Sequence, residues 1–352
     1  MPLPDVLRSL LTAKGTSGHE TEPAKIWRDA AEPFAEVAVD RMGNSTARVA
    51  GIANGRSLAI LGHIDEIGLI VTHVESSGFL RFTGVGGWDP MILVGQRVVL
   101  ITASGEVPGV IGKKPIHLLD AEARKKVAEV KDLHIDLGAG DKEAVEALGV
   151  RVGDTAIVPG DPLELAGGRV ASKSMDNRLG AFVALEAARL VAEAGGAPGD
   201  VIGVANVQEE IGLNGARPVA NTLLPDCAIV VDVTHATDAP GIEVGQMGEH
   251  ELGSGPVVER GATLHPRLFE LLSETAAIEG IPVTVAATSA RTGTDADVVH
   301  FAGAGIPTTI ISIPLRYMHS PVEVVQVDDV LAVARLIAAF AQRLDAEEPF
   351  LR

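Results

Sequence analysis

The chain has 352 residues, 46% of them apolar and 22% charged, a globular composition long enough for one large domain or two ordinary ones. Its formal charge of −18, with the basic residues scattered rather than gathered into a stripe, repels phosphate backbones and argues against nucleic acid as a partner. The start MPLPDVLRSLLTAKG has no basic stretch feeding a long apolar one, and no later window reaches about 18 apolar residues without a charge, so neither export nor a membrane span is expected.

In chain order, the amino-terminal stretch reads as two helices, the second over Glu20–Ala31, followed by short strands at Ala35–Val39, Ser45–Val49 and Ser57–Leu61. From Ile67 to about Leu165 the texture changes to short β-type runs split by glycines, with one helical stretch near Asp120–Val130. After Gly168 long helices alternate with apolar strands. Helices are expected at Asn177–Ala194, His265–Glu279 and Val330–Leu344, and strands at Val201–Val207, Ala228–Val233, Val283–Ala287 and Thr308–Ile313. The only cysteine, Cys227, lies in the apolar run DCAIVVDV and reads as a small buried side chain. With no disulfide possible inside the chain, a reducing, cytoplasmic setting is expected. The simplest architecture is an α/β domain with helices on both faces of its sheet, built from residues 1–66 and 166–352 and interrupted by a smaller β-rich insertion at 67–165.

Apolar strand runs repeatedly end in acids or histidine, where α/β sheets place ligands. SLAILGHID delivers His63 and Asp65, ASKSMDN delivers Asp176 at a helix start, and VIGVANVQEE delivers Glu209 and Glu210. AIVVDV delivers Asp232, and IPLRYMHSP delivers His319. Singly, each has a structural explanation: a surface loop for His63 and Asp65, a helix cap for Asp176, a satisfied strand-end acid for Asp232. Together with two histidines, the four carboxylates Asp176, Glu209, Glu210 and Asp232 at the ends of buried runs would repel or remain poorly solvated unless cations neutralised them. Imidazole with carboxylate and no thiolate is the ligand set of hydrolytic zinc, cobalt or manganese sites, zinc being the default. Side chains of the adjacent Glu209 and Glu210 diverge at a strand end, so one can bind metal while the other holds water, and the GLNG that follows signals a tight turn.

Eight segments occur in the order GHIDEIGLIV, GGWDPMILVGQRV, GVIGKKPIHLL, SKSMDNRLGAFVALEA, NVQEEIGLNGA, VVDVTHATD, RTGTDAD and IPLRYMHSPVEVV. Over nearly the whole chain this pattern closely resembles the M42 family of aminopeptidases, also labelled glutamyl aminopeptidases or endoglucanases. The resemblance implies a mixed-sheet metallopeptidase domain with a PDZ-like barrel insertion, and two divalent ions per subunit acting on the amino-terminal bond of short peptides. Asp176 is similar to the family's bridging carboxylate; His63 and Asp232 would complete one ion, Glu210 and His319 the other. Glu209 would be the general base, and Asp65 matches the acid that orients the ligand imidazole of His63. Relatives often show a cis peptide after the bridging acid, here Asp176–Asn177. The family assembles as dimers and hollow tetrahedral dodecamers through the β-rich insertion, and a dodecamer is expected over a dimer.

Among the other histidines, His73, His117, His134, His235, His250, His265 and His300 lack ligand positions in that pattern and read mostly as surface or packing residues, with His235 the best of them for a supporting role near Asp232. Arg291, Thr294 and Asp295 in RTGTDAD would line a substrate pocket or cap the next helix, capping being the reading for Thr294; GGWDP reads as a turn. A glycosidase needs two opposed carboxylates and usually aromatic platforms, and only two tryptophans and one tyrosine accompany eight phenylalanines here. A metal-dependent deacylase of acylated amino acids is chemically closer, and the need for a free α-amine separates it from an aminopeptidase.

Overall fold

Residues 2–344 and 346–351 are described by a computed structural model. Strands β1 Glu36–Val39, β2 Ser45–Val49 and β3 Leu58–His63 lead into six strands of the insertion, β4 Gly68–Val74, β5 Leu80–Val85, β6 Arg97–Thr102, β7 Gly105–Lys113, β8 Leu133–Asp136 and β9 Thr155–Ile157. The chain then returns through β10 Leu163–Glu164, β11 Arg169–Ser172, β12 Val201–Asn206, β13 Cys227–His235, β14 Val257–Gly261, β15 Thr284–Thr288, β16 Thr308–Arg316 and β17 Glu323–Gln326. The large sheet has the order β1-β2-β12-β3-β13-β16-β17-β11-β10, with β14 joining β15 to β16. Its centre, β12-β3-β13-β16, is parallel and its flanks are antiparallel, except that β15 runs parallel to β14.

The central strands are continuous apolar runs because both their faces are covered. Along β3, Leu58 and Ile60 join the core that faces the helix Met175–Glu193, whereas Ala59 and Leu61 point to the opposite layer with Ala216, Val219 and Ala296. That opposite layer is built from the helices Ala216–Leu223 and Ala296–Val299. Met175–Glu193 is buried along most of its length. It packs so closely on β3 that a Cβ at Gly62 would overlap the carbonyl of Gly180, which only glycine permits. The indole of Trp27, fully buried, donates to the Ala181 carbonyl (2.7 Å) and fastens the second amino-terminal helix, Thr21–Ala31, to the same layer.

The insertion closes as a barrel in the order β4-β5-β8-β7-β6-β9, antiparallel throughout, around its own core of Leu69, Leu80, Leu100, Ile135 and Ala156. Closure leaves no open sheet edge. The α-helix expected near Asp120–Val130 is absent: that stretch holds the 3₁₀ turns Ala123–Lys125 and Val130–Asp132, and Val127 projects into solvent. Its charged residues offer no apolar stripe that could pack on the barrel, so local propensity has no tertiary partner. The insertion's α-helices are instead the short Pro90–Leu93 and Lys142–Ala147, the latter capped by Asp141, whose carboxylate accepts from the Ala144 N–H (2.8 Å). No helix among the described residues is long and apolar enough to cross a membrane.

Beneath the carboxyl ends of the parallel strands, Glu66 forms the hub of a buried ionic cluster. Its Oε1 accepts from Arg178 (2.8 Å) and from the Gly15 N–H (2.9 Å), and its Oε2 accepts from Lys173 (2.8 Å) and the Ser174 hydroxyl. Arg178 also donates to the carbonyls of Leu10 and Ala13, so the cluster joins the first helix, Asp5–Thr12, to the strand end and to Met175–Glu193. Burial opposes ionisation of Glu66, but the charges of Arg178 and Lys173 outweigh it and hold the carboxyl down to about 2. Glu66→Gln strands two buried cations and is expected to cost roughly 3–5 kcal/mol, read from urea unfolding at pH 7. Because the folded-state value lies below the ordinary 4.5, this stabilisation is complete above about pH 4.5 and fades toward about pH 2. The gap between the two proteins should narrow over that window, and equal stability at neutral pH would remove Glu66 from its central role.

Candidate active site

The parallel strands run further than their apolar runs suggest, and the extra residues carry chemistry. β3 continues to His63 as its last residue, directly beside Asn206, the last residue of β12. After Asn206 the chain turns through Val207 and Gln208 to Glu209 and Glu210. The N–H groups of Gly212 and Leu213 both donate to the Glu209 carbonyl (2.9 Å each), and Gly212 sits at φ +126°, so GLNG is a tight turn that aims the two acids. Asp232 lies within β13, opposite Ser312 of β16. His319 lies in the turn between β16 and β17. Asp176 opens the helix Met175–Glu193, where its backbone is still non-helical and the Asp176–Asn177 peptide is cis. Apart from Asp232, which projects from within β13, these positions stand beside or beyond the carboxyl ends of the parallel strands, the crevice where open α/β sheets bind ligands.

The side chains converge. His63 Nε2 lies 3.2 Å from Asp176 Oδ1 and 3.7 Å from Glu209 Oε2; His319 Nε2 lies 3.2 Å from Asp176 Oδ2 and 3.3 Å from Glu210 Oε1. The two oxygens of one carboxylate thus face two imidazoles from opposite ends of the chain. His63, Asp176 and Asp232 are buried, whereas the His319 ring keeps a third of its surface exposed and marks the open side.

This crowding sets the charge states. Burial favours protonated Asp176, but hydrogen bonding to His319 and His63 outweighs it and holds the carboxyl well below its usual range. Burial, with the charges of Asp295, Asp232 and Glu210 adding to it and His63 opposing, pushes Glu209 up to about 10. Asp232 and Glu210 are also raised, first by burial. His319 rises to about 11 through its contacts with Asp176 and Glu210.

A surrounding layer fixes these groups. Asp65 Oδ1 lies 3.2 Å from His63 Nδ1, and the Asp65 carboxylate accepts the N–H groups of Glu209 (3.1 Å) and Glu210 (3.2 Å) and the Ser17 hydroxyl (2.5 Å). Buried Glu20 accepts the Gln208 N–H (3.1 Å). Glu323 accepts the N–H groups of Met175, Asp176 and His319. Sequence reading missed Ser17, Glu20, Asn206 and Glu323, although Glu323 stands inside the HSPVE segment. Asp295 is buried, and one of its oxygens accepts from Asn206 Nδ2 (2.6 Å). Thr294 Oγ1 accepts the Ala296 N–H (3.2 Å), as a cap does. Arg291 lines a lateral cavity of about 690 Å³ with Arg217, Leu213 and Phe301. GGWDP is more than a turn, because a Cβ at Gly87 would come within 3.2 Å of the His319 ring. His235 is exposed at the end of β13, His250 contacts Thr284 Oγ1, and His265 contacts the Phe350 carbonyl.

The residues present fit divalent cations. Two sets of ligand atoms, on His63, Asp176 and Glu210 and on His63, Glu209 and Asp232, each lie within 4.8 Å of one another. No lysine or arginine among the described residues pairs with Asp176, Glu209, Glu210 or Asp232, and Glu210 Oε1 is buried without a hydrogen bond. Buried carboxylates of this density call for metal or protons.

Comparison with known proteins gives this geometry its relatives. A model of the M42 glutamyl aminopeptidases matches residues 43–336. A lysyl aminopeptidase of Pyrococcus furiosus is 33% identical over 347 residues, covering 97% of each chain. Among solved structures, a TET aminopeptidase from the marine sediment archaeon Thaumarchaeota archaeon SCGC AB-539-E09 is 37% identical with a TM-score of 0.93, covering 99% of this chain and 98% of its own. The TET1 peptidase of Pyrococcus horikoshii, which assembles into a tetrahedron or a large octahedral shell, is 33% identical with a TM-score of 0.85, covering 96% and 98%. With the family match spanning both the strand-end acids and the barrel between them, the chain belongs to the M42 glutamyl aminopeptidases, a family of metal-dependent aminopeptidases.

Proposed function

We propose that the protein hydrolyses the amino-terminal peptide bond of short peptides with two divalent ions, zinc by default and cobalt or manganese as alternatives. The observation that carries this reading is the Asp176 carboxylate, with its oxygens 3.2 Å from His63 Nε2 and 3.2 Å from His319 Nε2. Asp176 would hold both ions, His63 and Asp232 would complete one, and Glu210 and His319 the other. When bound, such ions supply Lewis acidity to the scissile carbonyl and lower the pKa of water toward neutrality.

Glu209 is the general base. It stands among the ligand-type groups with Oε2 3.7 Å from His63 Nε2, and the turn after it leaves the carboxylate a choice of ligand or proton carrier. Proximity alone groups it with His63 and Asp232; the base role follows from the adjacent Glu210, which faces Asp176 and His319 and leaves Glu209 free to move protons. Bound cations would offset the burial and acid crowding that raise Glu209, and the ionised carboxylate would then take a proton from water as the oxygen attacks the carbonyl carbon, and return it to the leaving amine nitrogen. Asp65 orients His63 through Nδ1 and holds the backbone of both glutamates, so one carboxylate sets the spacing of ligand and base.

The division into a chemical domain at 1–66 and 166–352 and an insertion at 67–165 assigns assembly to the barrel, which presents Met91, Ile116, Leu118, Val127 and Val152 to solvent. Together with the shells formed by Pyrococcus horikoshii TET1, this supports a homo-oligomer, a dodecamer over a dimer, in the cytoplasm. A closed shell admits only short, unfolded peptides.

Glu209→Gln is expected to lower kcat on an aminoacyl anilide by roughly 10²–10⁴-fold while metal content by mass spectrometry stays at the unaltered level; full turnover would assign the base elsewhere. Chelation should abolish hydrolysis and added Zn²⁺, Co²⁺ or Mn²⁺ restore it, with N-acetylated substrates remaining uncleaved. Cleavage of the acetylated series instead would identify a deacylase. Light scattering should give about twelve times the 36.5 kDa chain mass, and a monomer would exclude a shell.

A further inference from the structure

Glu323 opens β17 opposite Ser172, the last residue of β11, and this register carries its side chain toward the start of the helix Met175–Glu193. Its Oε2 accepts the N–H groups of Met175 (2.7 Å) and Asp176 (3.2 Å), and its Oε1 accepts the N–H of His319 (2.8 Å). The carboxylate is buried, and no lysine or arginine among the described residues pairs with it. A buried carboxyl needs hydrogen-bond partners, and every donor meeting this one is main chain on either side of the site.

The loop it grips also needs support. Tyr317 and His319 both adopt left-handed φ, +62° and +60°, a region unfavourable for such residues. From the other side Gly87 of the insertion approaches so closely that an added Cβ would come within 3.2 Å of the His319 ring. Without the Glu323 contact, the loop would relax toward ordinary φ values and carry the imidazole away from Asp176.

We propose that Glu323 is a positioning residue for metal capture: by gripping the backbone of Asp176 and His319 with one carboxylate, it sets the separation of the bridging acid and a ligand imidazole. This rests on the reading of Asp176 and His319 as metal ligands. The two acceptor oxygens of Glu323, rather than a metal contact of its own, assemble the half of the site built on His319 and Glu210.

The test is calorimetric titration of Zn²⁺ into the full-length, metal-stripped protein, alongside unfolding of the metal-free form. Glu323→Gln should weaken binding at the His319 half by roughly 10–100-fold, more than at the half built on His63 and Asp232. Glu323→Asp, which keeps both acceptor oxygens but is one methylene short, should fall between, and carries the test if the glutamine variant does not fold. Asp329 is a second buried acid, accepting the N–H groups of Gly253 and Gly255, and Asp329→Asn controls for destabilisation: it should lower stability and leave Zn²⁺ affinity unchanged. Zn²⁺ affinity within about threefold of the unaltered protein in the Glu323 variants, or an equal loss in Asp329→Asn, would overturn the proposal. His319→Ala tests the underlying reading separately: unchanged affinity and stoichiometry there would remove His319 as a ligand, and the role of Glu323 with it.

Discussion

Four carboxylates and two imidazoles meet at the carboxyl ends of β3, β12, β13 and β16, and no lysine or arginine among the described residues pairs with the four acids. At such distances like charges in a poorly solvated pocket repel strongly, so the arrangement persists only because the backbone holds each group. Asp176 sits between the histidines and is kept ionised by them, while Glu209 and Asp232 are driven toward protonation. The fold therefore presents an excess of acid facing a partly open histidine, the electrostatic condition for drawing in divalent cations.

Much of that constraint is delivered by main-chain N–H groups. Asp65 takes those of Glu209 and Glu210, Glu20 takes that of Gln208, and Glu323 takes those of Met175, Asp176 and His319. Charge-assisted bonds of this kind fix the backbone under a side chain rather than its tip. The supporting acids thereby leave the functional oxygens unoccupied. The Glu66 cluster lies one layer below and ties the same strand end to the first helix and to Met175–Glu193.

Topology supplies the rest. The insertion leaves the sheet immediately after His63, Asp65 and Glu66, and returns its Gly86–Gly87 segment against Glu210 and His319. The barrel thus borders the cluster while its outer surface displays apolar side chains. A single excursion of the chain both walls the site and carries the apolar outer surface.

Sequence alone determined the central strands and the identity of the chemistry-bearing residues at their ends, because burial of a strand on both faces requires a contiguous apolar run that stops where the chain meets the crevice. His63, Asp65, Asp176, Glu209, Glu210, Asp232 and His319 were singled out from the sequence, and the structure brings their side chains together. The helix expected near Asp120–Val130 failed because periodicity without an apolar face to pack cannot hold a helix. Glu323 was invisible as a supporting group, since its meaning lies in bonds to residues up to 148 positions away. Likewise, the approach of His63 to Asp176 spans 113 positions and depends on the order of strands in the sheet. Local composition encodes which residues are buried; only the tertiary structure, through strand order and backbone hydrogen bonding, decides which of them face one another.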